Sequence, residues 1–127
     1  MRRRQVSTGG PFEDRYGYCR AVRVGDHVHV AGTTAQPPHV DGCDAEEQAR
    51  AAIAIIADAL GRVDASLADV VRTVTYVTDI ADMEAVARAH REAFGAIRPV
   101  ATLVEVSALA LPEYLVEIEA YAIVDTD

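Results

Sequence analysis

The sequence predicts an α+β fold, with one β-sheet of ββαβαββ order and two helices packed on one of its faces. Two segments repeat apolar residues at steps of three, four and seven, as amphipathic helices do. Short β-branched segments bounded by Gly, Pro and Asp lie between and around them, as is typical of strands. The length of 127 residues is that of one ordinary domain, so we expect residues 1–127 to form a single domain.

The first third of the chain predicts an irregular arm followed by a hairpin. Residues 1–15 contain two glycines and a proline without periodicity, which indicates a flexible or irregular N-terminal arm. Residues 16–24 are rich in aromatic and β-branched types, and a turn at Gly25 joins them to a second strand at 27–31. Segment 33–43 is longer than most connections, which favours a functional or mobile loop.

Two helices and three further strands follow. Asp44 is placed to cap a helix that ends near Gly61, and Asp79 followed by Asp82 opens a second helix that is closed by Gly95. A capping box beginning at Ser66 predicts one short turn between them. The remaining strands are predicted at residues 70–78, 100–107 and 114–124.

Alternation in the last strand separates two faces of the sheet. The side chains expected to face the helices are Val116, Ile118, Ala120, Ala122 and Val124. Those expected on the opposite face are Glu117, Glu119, Tyr121 and Ile123. Ala101 and Leu103, together with Glu105, are expected to repeat this mixture of charge and apolar bulk on the neighbouring strand. Two helices cover only one face, so we expect the other to be buried in a homo-oligomer, with polar groups lining an interfacial cleft.

Composition excludes several classes of function. The net charge of −8 and the pI near 4.9 disfavour nucleic acid and anionic membranes as partners. All twelve basic residues are Arg, and a chain without Lys has neither a Schiff-base lysine nor a Walker A loop. We therefore expect no cofactor. No apolar run approaches the ~20 residues that span a bilayer, and the first residues do not resemble a secretory signal, so a cytoplasmic protein is expected.

Several short blocks resemble one known family. They are Tyr18 in the first strand, Val-His-Val-Ala-Gly at 28–32, Tyr-Val-Thr-Asp at 76–79 and Val-Glu-Ile-Glu-Ala at 116–120. In this order, the blocks resemble the reactive-intermediate deaminase family (RidA/YjgF-like, Rid) over nearly the whole chain. The resemblance implies a chorismate-mutase-like fold, a homotrimer with clefts between subunits, and hydrolysis of small enamines and imines.

The resemblance also implies site residues, some of which this chain lacks. Tyr18, Gly32 and Glu117 match the family, and Glu117 takes the place of the glutamate that orients the attacking water. The arginine that holds a substrate carboxylate is replaced by Ala101, which places the chain in an arginine-lacking, divergent branch. Arg98 is not expected to substitute, because it lies three residues earlier with its side chain on the other face. The family's serine, helix asparagine and cysteine are replaced by Ala31, Ala87 and Leu103.

The candidate site residues each allow a structural alternative. Glu117 and Glu119 share a strand face, where two like charges raise the pKa of one carboxyl and suit it to proton transfer; alternatively they are solvated or pair with Arg. Arg20, beside Tyr18, is the best replacement cation, with a surface or interface salt bridge as the alternative. Thr33 lines the cleft or bonds local backbone.

Three other features allow a functional interpretation. His27 and His29 have a spacing that metals use, but no partner block lies nearby, so no metal site is expected. His90 is expected to pack half-buried on the second helix. Cys19 and Cys43 are expected to be reduced thiols.

Two hypotheses follow. In the first, the protein is an enzyme that adds water to, deaminates or transfers a proton on a small enamine-like, imine-like or tautomerisable metabolite, and is not a typical 2-aminoacrylate deaminase. In the second, it is a non-catalytic, trimeric small-molecule-binding or interaction module. Ribonuclease activity, which is sometimes attached to the family, is disfavoured by the acidic charge.

Overall fold

The structure is a computed structural model that describes residues 2–125, and it confirms the α+β fold. The sheet is mixed and has six strands, one more than the sequence predicted. The strands are β1 (Arg3–Val6), β2 (Ala21–Val24), β3 (His27–Thr33), β4 (Val70–Val77), β5 (Val100–Glu105) and β6 (Val116–Ile123). The helices are α1 (Glu13–Tyr16), α2 (Ala45–Gly61) and α3 (Met83–Phe94), with 3-10 turns at Leu67–Asp69 and Ile80–Asp82. The strand order is β1-β2-β3-β6-β4-β5.

The two long helices cover one face of the sheet. Adjacent strands are antiparallel except β4 and β5, which are parallel because α3 connects them. Val116, Ile118, Ala120 and Ala122 are buried in the core with the apolar faces of α2 and α3, as the alternation in β6 predicted. The register between β3 and β6 shifts between Val30 and Thr33, next to Gly32.

The predicted starts of α2 and of the short turn after Ser66 are confirmed by their caps. The carboxylate of Asp44 accepts a hydrogen bond from the backbone N–H of Glu47 at 2.9 Å, which satisfies one of the unpaired donors of the first turn of α2. The backbone N–H of Ser66 donates to Asp69 at 2.9 Å in a capping box. These starts are encoded within four residues, which is why a local pattern identifies them.

The N-terminal segment is not the irregular arm that its glycines suggested. Residues 3–6 form β1, which pairs with β2 at the edge of the sheet, and residues 13–16 form α1. The strand predicted at 16–24 is correspondingly shorter and begins at Ala21. Pairing of β1 with a strand fifteen residues later is a non-local contact, and the two arginines and one glutamine of β1 conceal any apolar alternation.

The position of β5 also corrects the sequence analysis. β4 lies between β5 and β6, so Ala101 and Leu103 are not on the strand beside Glu117. Register partners point to the same face, and Thr75 is the partner of both Leu103 and Ile118. Leu103 therefore packs on the helix side of the sheet, against the core, and not on the face of Glu117.

The face opposite the helices exposes apolar side chains, as predicted. Val100 is 69% exposed, and Val104 and Ile123 are about two-fifths exposed. Val104 shares a row with Tyr76 and Glu117, so charge and apolar bulk do occur together on this face.

Candidate functional site

A cleft of about 1150 Å³ opens beside the end of β3 and contains the predicted catalytic glutamate. Its walls come from the N-terminal segment, the loop after β3 and the outer side of α2, while Glu117 reaches it from β6. The cleft brings together Tyr18, Arg20, Gly32, Thr33 and Glu117, five of the nine residues that the sequence suggested.

Glu117 lies half-buried against the backbone of Gly32. A methyl group on Gly32 would overlap Oε2 of Glu117 and lie 3.0 Å from its Cδ, so only glycine leaves room for this carboxyl. Burial raises the pKa of Glu117; the charge of Arg20 opposes this shift and the charge of Glu119 adds to it. A carboxyl that keeps its proton above the pH range usual for glutamate can serve as an acid as well as a base.

We expect Gly32→Ala to lower the turnover of any reaction that uses Glu117 for proton transfer by about 100-fold while leaving the fold in place. The added methyl group displaces the carboxyl of Glu117, whose flexible end can move away at a cost of about 1 kcal/mol in unfolding free energy. Steady-state kinetics and urea unfolding would separate the two effects. Gly61→Ala is the matched control, because nothing lies within 4 Å of a methyl group there. Unchanged turnover in Gly32→Ala would show that the placement of the carboxyl does not matter.

Arg20 is a buried structural cation and not a free one. It is 7% exposed, and its guanidinium donates to the carbonyl of Gly32 at 2.7 Å, the hydroxyl of Thr33 at 2.8 Å and the hydroxyl of Tyr18 at 3.0 Å. Its charge is matched inside the fold by Glu13, at 4.0 Å from Nε. A salt bridge was the predicted alternative, but it lies in the interior and not at the surface.

Thr33 and Tyr18 are committed to the same network. The hydroxyl of Thr33, which is 1% exposed, donates to the carbonyl of Ala31 at 2.7 Å while it accepts from Arg20. This is the local backbone bonding that was the alternative to a ligand contact. Tyr18 is half-buried, and the Arg20 guanidinium lies 5.4 Å from its ring centroid. Arg20 therefore fixes the wall of the cleft around Gly32.

Glu13, which the sequence analysis missed, completes this network. It is 3% exposed, and its carboxylate accepts from the hydroxyls of Ser7 at 2.9 Å and Thr8 at 2.7 Å, and from the backbone N–H groups of Thr8 and Gly10. Burial alone would raise the pKa of Glu13, but the bonds from Thr8, Ser7 and Gly10 together bring it below its usual value. A local signal was present: a glutamate follows Ser-Thr-Gly-Gly, residues whose donors fit a carboxylate.

We expect Glu13 to make the fold sensitive to acid. Because its pKa is lower in the folded protein, Glu13 contributes stability that is complete above its unfolded pKa, near 4.5, and is lost as the pH falls through the lower folded value. In urea unfolding at a series of pH values, Glu13→Gln should lose less stability than the wild type below about pH 5. Asp14→Asn, at the exposed neighbouring position, is the control and should keep the wild-type slope. If the free energy of unfolding fell equally with decreasing pH in the wild type and in Glu13→Gln, the assigned role of Glu13 would be contradicted.

Glu119 lies apart from the cleft. Tyr76 donates a hydrogen bond to its carboxylate, and this bond is the largest cause that raises the pKa of Tyr76. The structure thus separates the two glutamates, because Glu117 reaches the cleft and Glu119 is held by a neighbouring strand.

The remaining predicted residues line a second, separate cavity. Ala87, Ala101 and Leu103 lie around a space of about 420 Å³ between α3 and β5. Arg98 lines the same cavity, although the sequence analysis placed its side chain on the other face of the strand. The reason is its left-handed backbone, at φ 61°, which ends the strand alternation on which that expectation depended.

The histidines and cysteines have local partners. His27 and His29 stack on Tyr121, whose hydroxyl also bonds to His27. His90 is half-buried as predicted; it bonds to the hydroxyl of Thr73 at 2.8 Å, and burial lowers its pKa. Cys19 and Cys43 are both free thiols.

Residues 2–125 hold no group of three or more His, Cys, Asp or Glu side chains arranged for a metal ion. Within the same range, no helix is long and apolar enough to cross a membrane.

The six-stranded sheet with two helices on one face defines a protein of the chorismate-mutase-like α+β class. Residues 12–124 match the family model described as Endoribonuclease L-PSP. The crystal structure of Rv2704 from Mycobacterium tuberculosis, a member of the YjgF/YER057c/UK114 family, is 52% identical with a TM-score of 0.91, over 97% of this chain and 100% of that chain. The chain therefore belongs to the YjgF/RidA family, as its sequence blocks indicated.

Two further similarities extend this finding. The uncharacterized protein SCO2049 of Streptomyces coelicolor is 38% identical over 123 residues, which are 93% of this chain and 91% of that protein. E. coli TdcF, whose crystal structure contains bound serine, is 22% identical with a TM-score of 0.77, over 96% of this chain and 94% of that one. At that identity the likeness to TdcF supports the fold alone for this chain.

Proposed function

We propose that the protein hydrolyses a small imine, or the enamine that tautomerises to it, in the cleft beside Gly32. The observation that supports this most is Glu117, a half-buried carboxyl of raised pKa that is fitted against a glycine backbone. In a position that only glycine permits, the carboxyl is held ready for proton transfer at one point in the cleft.

The reaction balances with water as the only co-reactant. Water adds to the C=N carbon and forms a carbinolamine; Glu117 accepts a proton from the water and passes it to the nitrogen. Glu117 then accepts the hydroxyl proton of the carbinolamine and passes it to the nitrogen as the C–N bond breaks, so that ammonia and a carbonyl compound leave. A carboxyl that returns to its starting protonation state in each turnover needs no cofactor.

We further propose that the protein belongs to a divergent branch and assembles as a homotrimer. Ala101 stands where the family arginine would hold a substrate carboxylate, so 2-aminoacrylate should be a poor substrate. The exposed Val100, Val104 and Ile123 support burial of the sheet face against other copies. Sedimentation equilibrium should give three times the monomer mass of 13.6 kDa, and a monomer at micromolar concentration would contradict the assembly.

The test of the activity is ammonia release from imines generated in the assay. A serine dehydratase supplies 2-aminoacrylate, and an amino-acid oxidase supplies larger imino acids. We expect hydrolysis of at least one larger imine above its spontaneous rate, with little effect on 2-aminoacrylate. Brisk hydrolysis of 2-aminoacrylate would contradict our interpretation of Ala101. Spontaneous rates throughout would favour a non-catalytic binding module.

A further inference from the structure

The cleft beside Gly32 offers no uncommitted arginine to a ligand. Among the described residues that line it, the arginines are Arg20 and Arg62. Arg20 is bonded to the cleft wall and is matched by Glu13 inside the fold. Nε of Arg62 lies 3.0 Å from the carboxylate of Asp58, which also lines the cleft, so this pair carries no net charge. A carboxylate on the substrate would therefore find no free guanidinium among these residues.

The other charged groups of the cleft also disfavour an anion. Glu117 lies half-buried in it, and a second carboxylate close to Glu117 would be repelled. His39 lines the cleft too, but its Nδ1 lies 3.2 Å from the carboxylate of Glu47. Burial of an anion without a partner costs free energy, and a chain without Lys has no ammonium group to offset that cost. The charges around the cleft thus favour a substrate without a carboxylate.

The walls of the cleft fit an apolar, aromatic body. Phe12, Tyr16 and Tyr18 line it from the N-terminal segment, and Ile55 lines it from α2. The rings of Tyr16 and Tyr18 meet edge to face, with their centroids 6.1 Å apart. Tyr16 is 86% exposed, so its ring is available to pack against a ligand. The volume of about 1150 Å³ is far larger than a three-carbon imine needs, because sites of this order hold drug-sized ligands.

We propose that the substrate is an imine derived from a primary amine, with an aromatic or bulky apolar body and no carboxylate. This substrate class rests on the hydrolysis proposed above, in which Glu117 serves the C=N group. The reaction that supplies such an imine is the oxidation of a primary amine. A flavin-dependent amine oxidase transfers two electrons and two protons from the amine to O₂, which becomes H₂O₂. Hydrolysis then consumes one water and yields an aldehyde and ammonia.

The experiment compares two imines that differ only in the carboxylate. A flavin-dependent amine oxidase forms the first from 2-phenylethylamine, and an amino-acid oxidase forms the second from phenylalanine. Ammonia release is measured for each imine with and without the full chain. We expect hydrolysis of both above their spontaneous rates, with kcat/KM at least about tenfold higher for the imine without the carboxylate. Equal or faster hydrolysis of the imino acid would overturn the substrate class alone. Spontaneous rates with both would overturn it together with the hydrolysis.

Binding without turnover tests the same preference independently of the chemistry. Phenylacetamide is neutral and stable, and its amide can exchange hydrogen bonds with the carboxyl of Glu117. Phenylacetate has the same ring with a negative charge. Calorimetry should show saturable binding of phenylacetamide that is at least about tenfold tighter than that of phenylacetate. Equal affinities, or tighter binding of phenylacetate, would overturn the proposal.

Tyr16 tests the aromatic wall. Tyr16→Ala should weaken binding of phenylacetamide about 3- to 10-fold, because the ligand loses one ring to pack against. The exposed position of Tyr16 leaves the fold intact. Tyr16→Phe keeps the ring and should restore the wild-type affinity. Unchanged affinity in Tyr16→Ala would remove this ring from the site.

Asp58 tests the charge of the cleft. Asp58→Asn removes an anion from the lining and releases Arg62 from its ion pair, so the preference for phenylacetamide over phenylacetate should narrow at least about threefold. Asp64→Asn is the matched control, because Asp64 is equally exposed and pairs with Arg4, but it does not line the cleft. This control should keep the wild-type ratio of affinities. A wild-type ratio in Asp58→Asn would overturn the part assigned to the Asp58 and Arg62 pair.

Discussion

Glu117→Gln should reduce turnover of the best imine substrate by about 10²- to 10⁴-fold. Glutamine has the same shape and fits beside Gly32, but it can neither accept the proton of water nor pass one to the leaving nitrogen. The loss should therefore appear in kcat with KM little changed, because positioning survives and proton transfer does not. Steady-state ammonia release at several substrate concentrations gives both constants.

The pH profile adds a second test of Glu117. Burial raises the pKa of Glu117; the charge of Arg20 opposes this shift and the charge of Glu119 adds to it. The change of turnover with pH that reports ionisation of Glu117 should therefore occur above pH 4.5, and it should be absent from Glu117→Gln. Glu119→Gln is the control: it should keep most of the turnover and move this change to lower pH, because a nearby negative charge has been removed. Turnover of Glu117→Gln within threefold of the wild type would remove Glu117 from the mechanism.

Arg20→Met should lower the free energy of unfolding by about 3 to 5 kcal/mol, the usual cost of removing one partner of a buried ion pair. The substitution leaves the carboxylate of Glu13 buried without its cation and deprives Gly32, Thr33 and Tyr18 of one donor group. Urea unfolding at neutral pH measures the change. Because Arg20 fixes the wall around Gly32, turnover should fall as well.

Arg15→Met is the matched control for Arg20→Met. Arg15 is exposed, and its guanidinium lies 5.7 Å from the ring centroid of Phe12, a contact worth about 0.5 to 1 kcal/mol at such a site. Similar losses in the two variants would mean that the interior network around Arg20 adds nothing beyond an exposed arginine.

Local patterns in the sequence were sufficient for most of the architecture. Asp44 predicts the start of α2, because its carboxylate accepts a hydrogen bond from the backbone N–H three residues later. Strict alternation in β6 places Ile118 in the core and Glu117 on the other face. Both are properties of a few consecutive residues, because helix caps and strand pleats repeat over short distances. The family was recognisable for the same reason, since its blocks are short and lie in order.

The candidate site was only partly predictable. Glu117, Gly32 and Tyr18 follow from the family blocks, and the structure does bring them into one cleft. Glu13 did not stand out, because its hydrogen bonds to Ser7, Thr8 and Gly10 depend on how the N-terminal segment folds back onto Arg20. The sequence alone does not distinguish a buried glutamate from an exposed one.

The sequence by itself determined the fold class, the two long helices with the cap of α2, and the identity of the glutamate beside Gly32. Only the tertiary structure decided that β1 pairs with β2, that β4 separates Leu103 from Glu117, and that Arg98 shares a cavity with Arg91. The physical reason is range: periodicity and capping act between neighbours, whereas strand order, burial of charge and the walls of a cavity are set by residues distant in the chain.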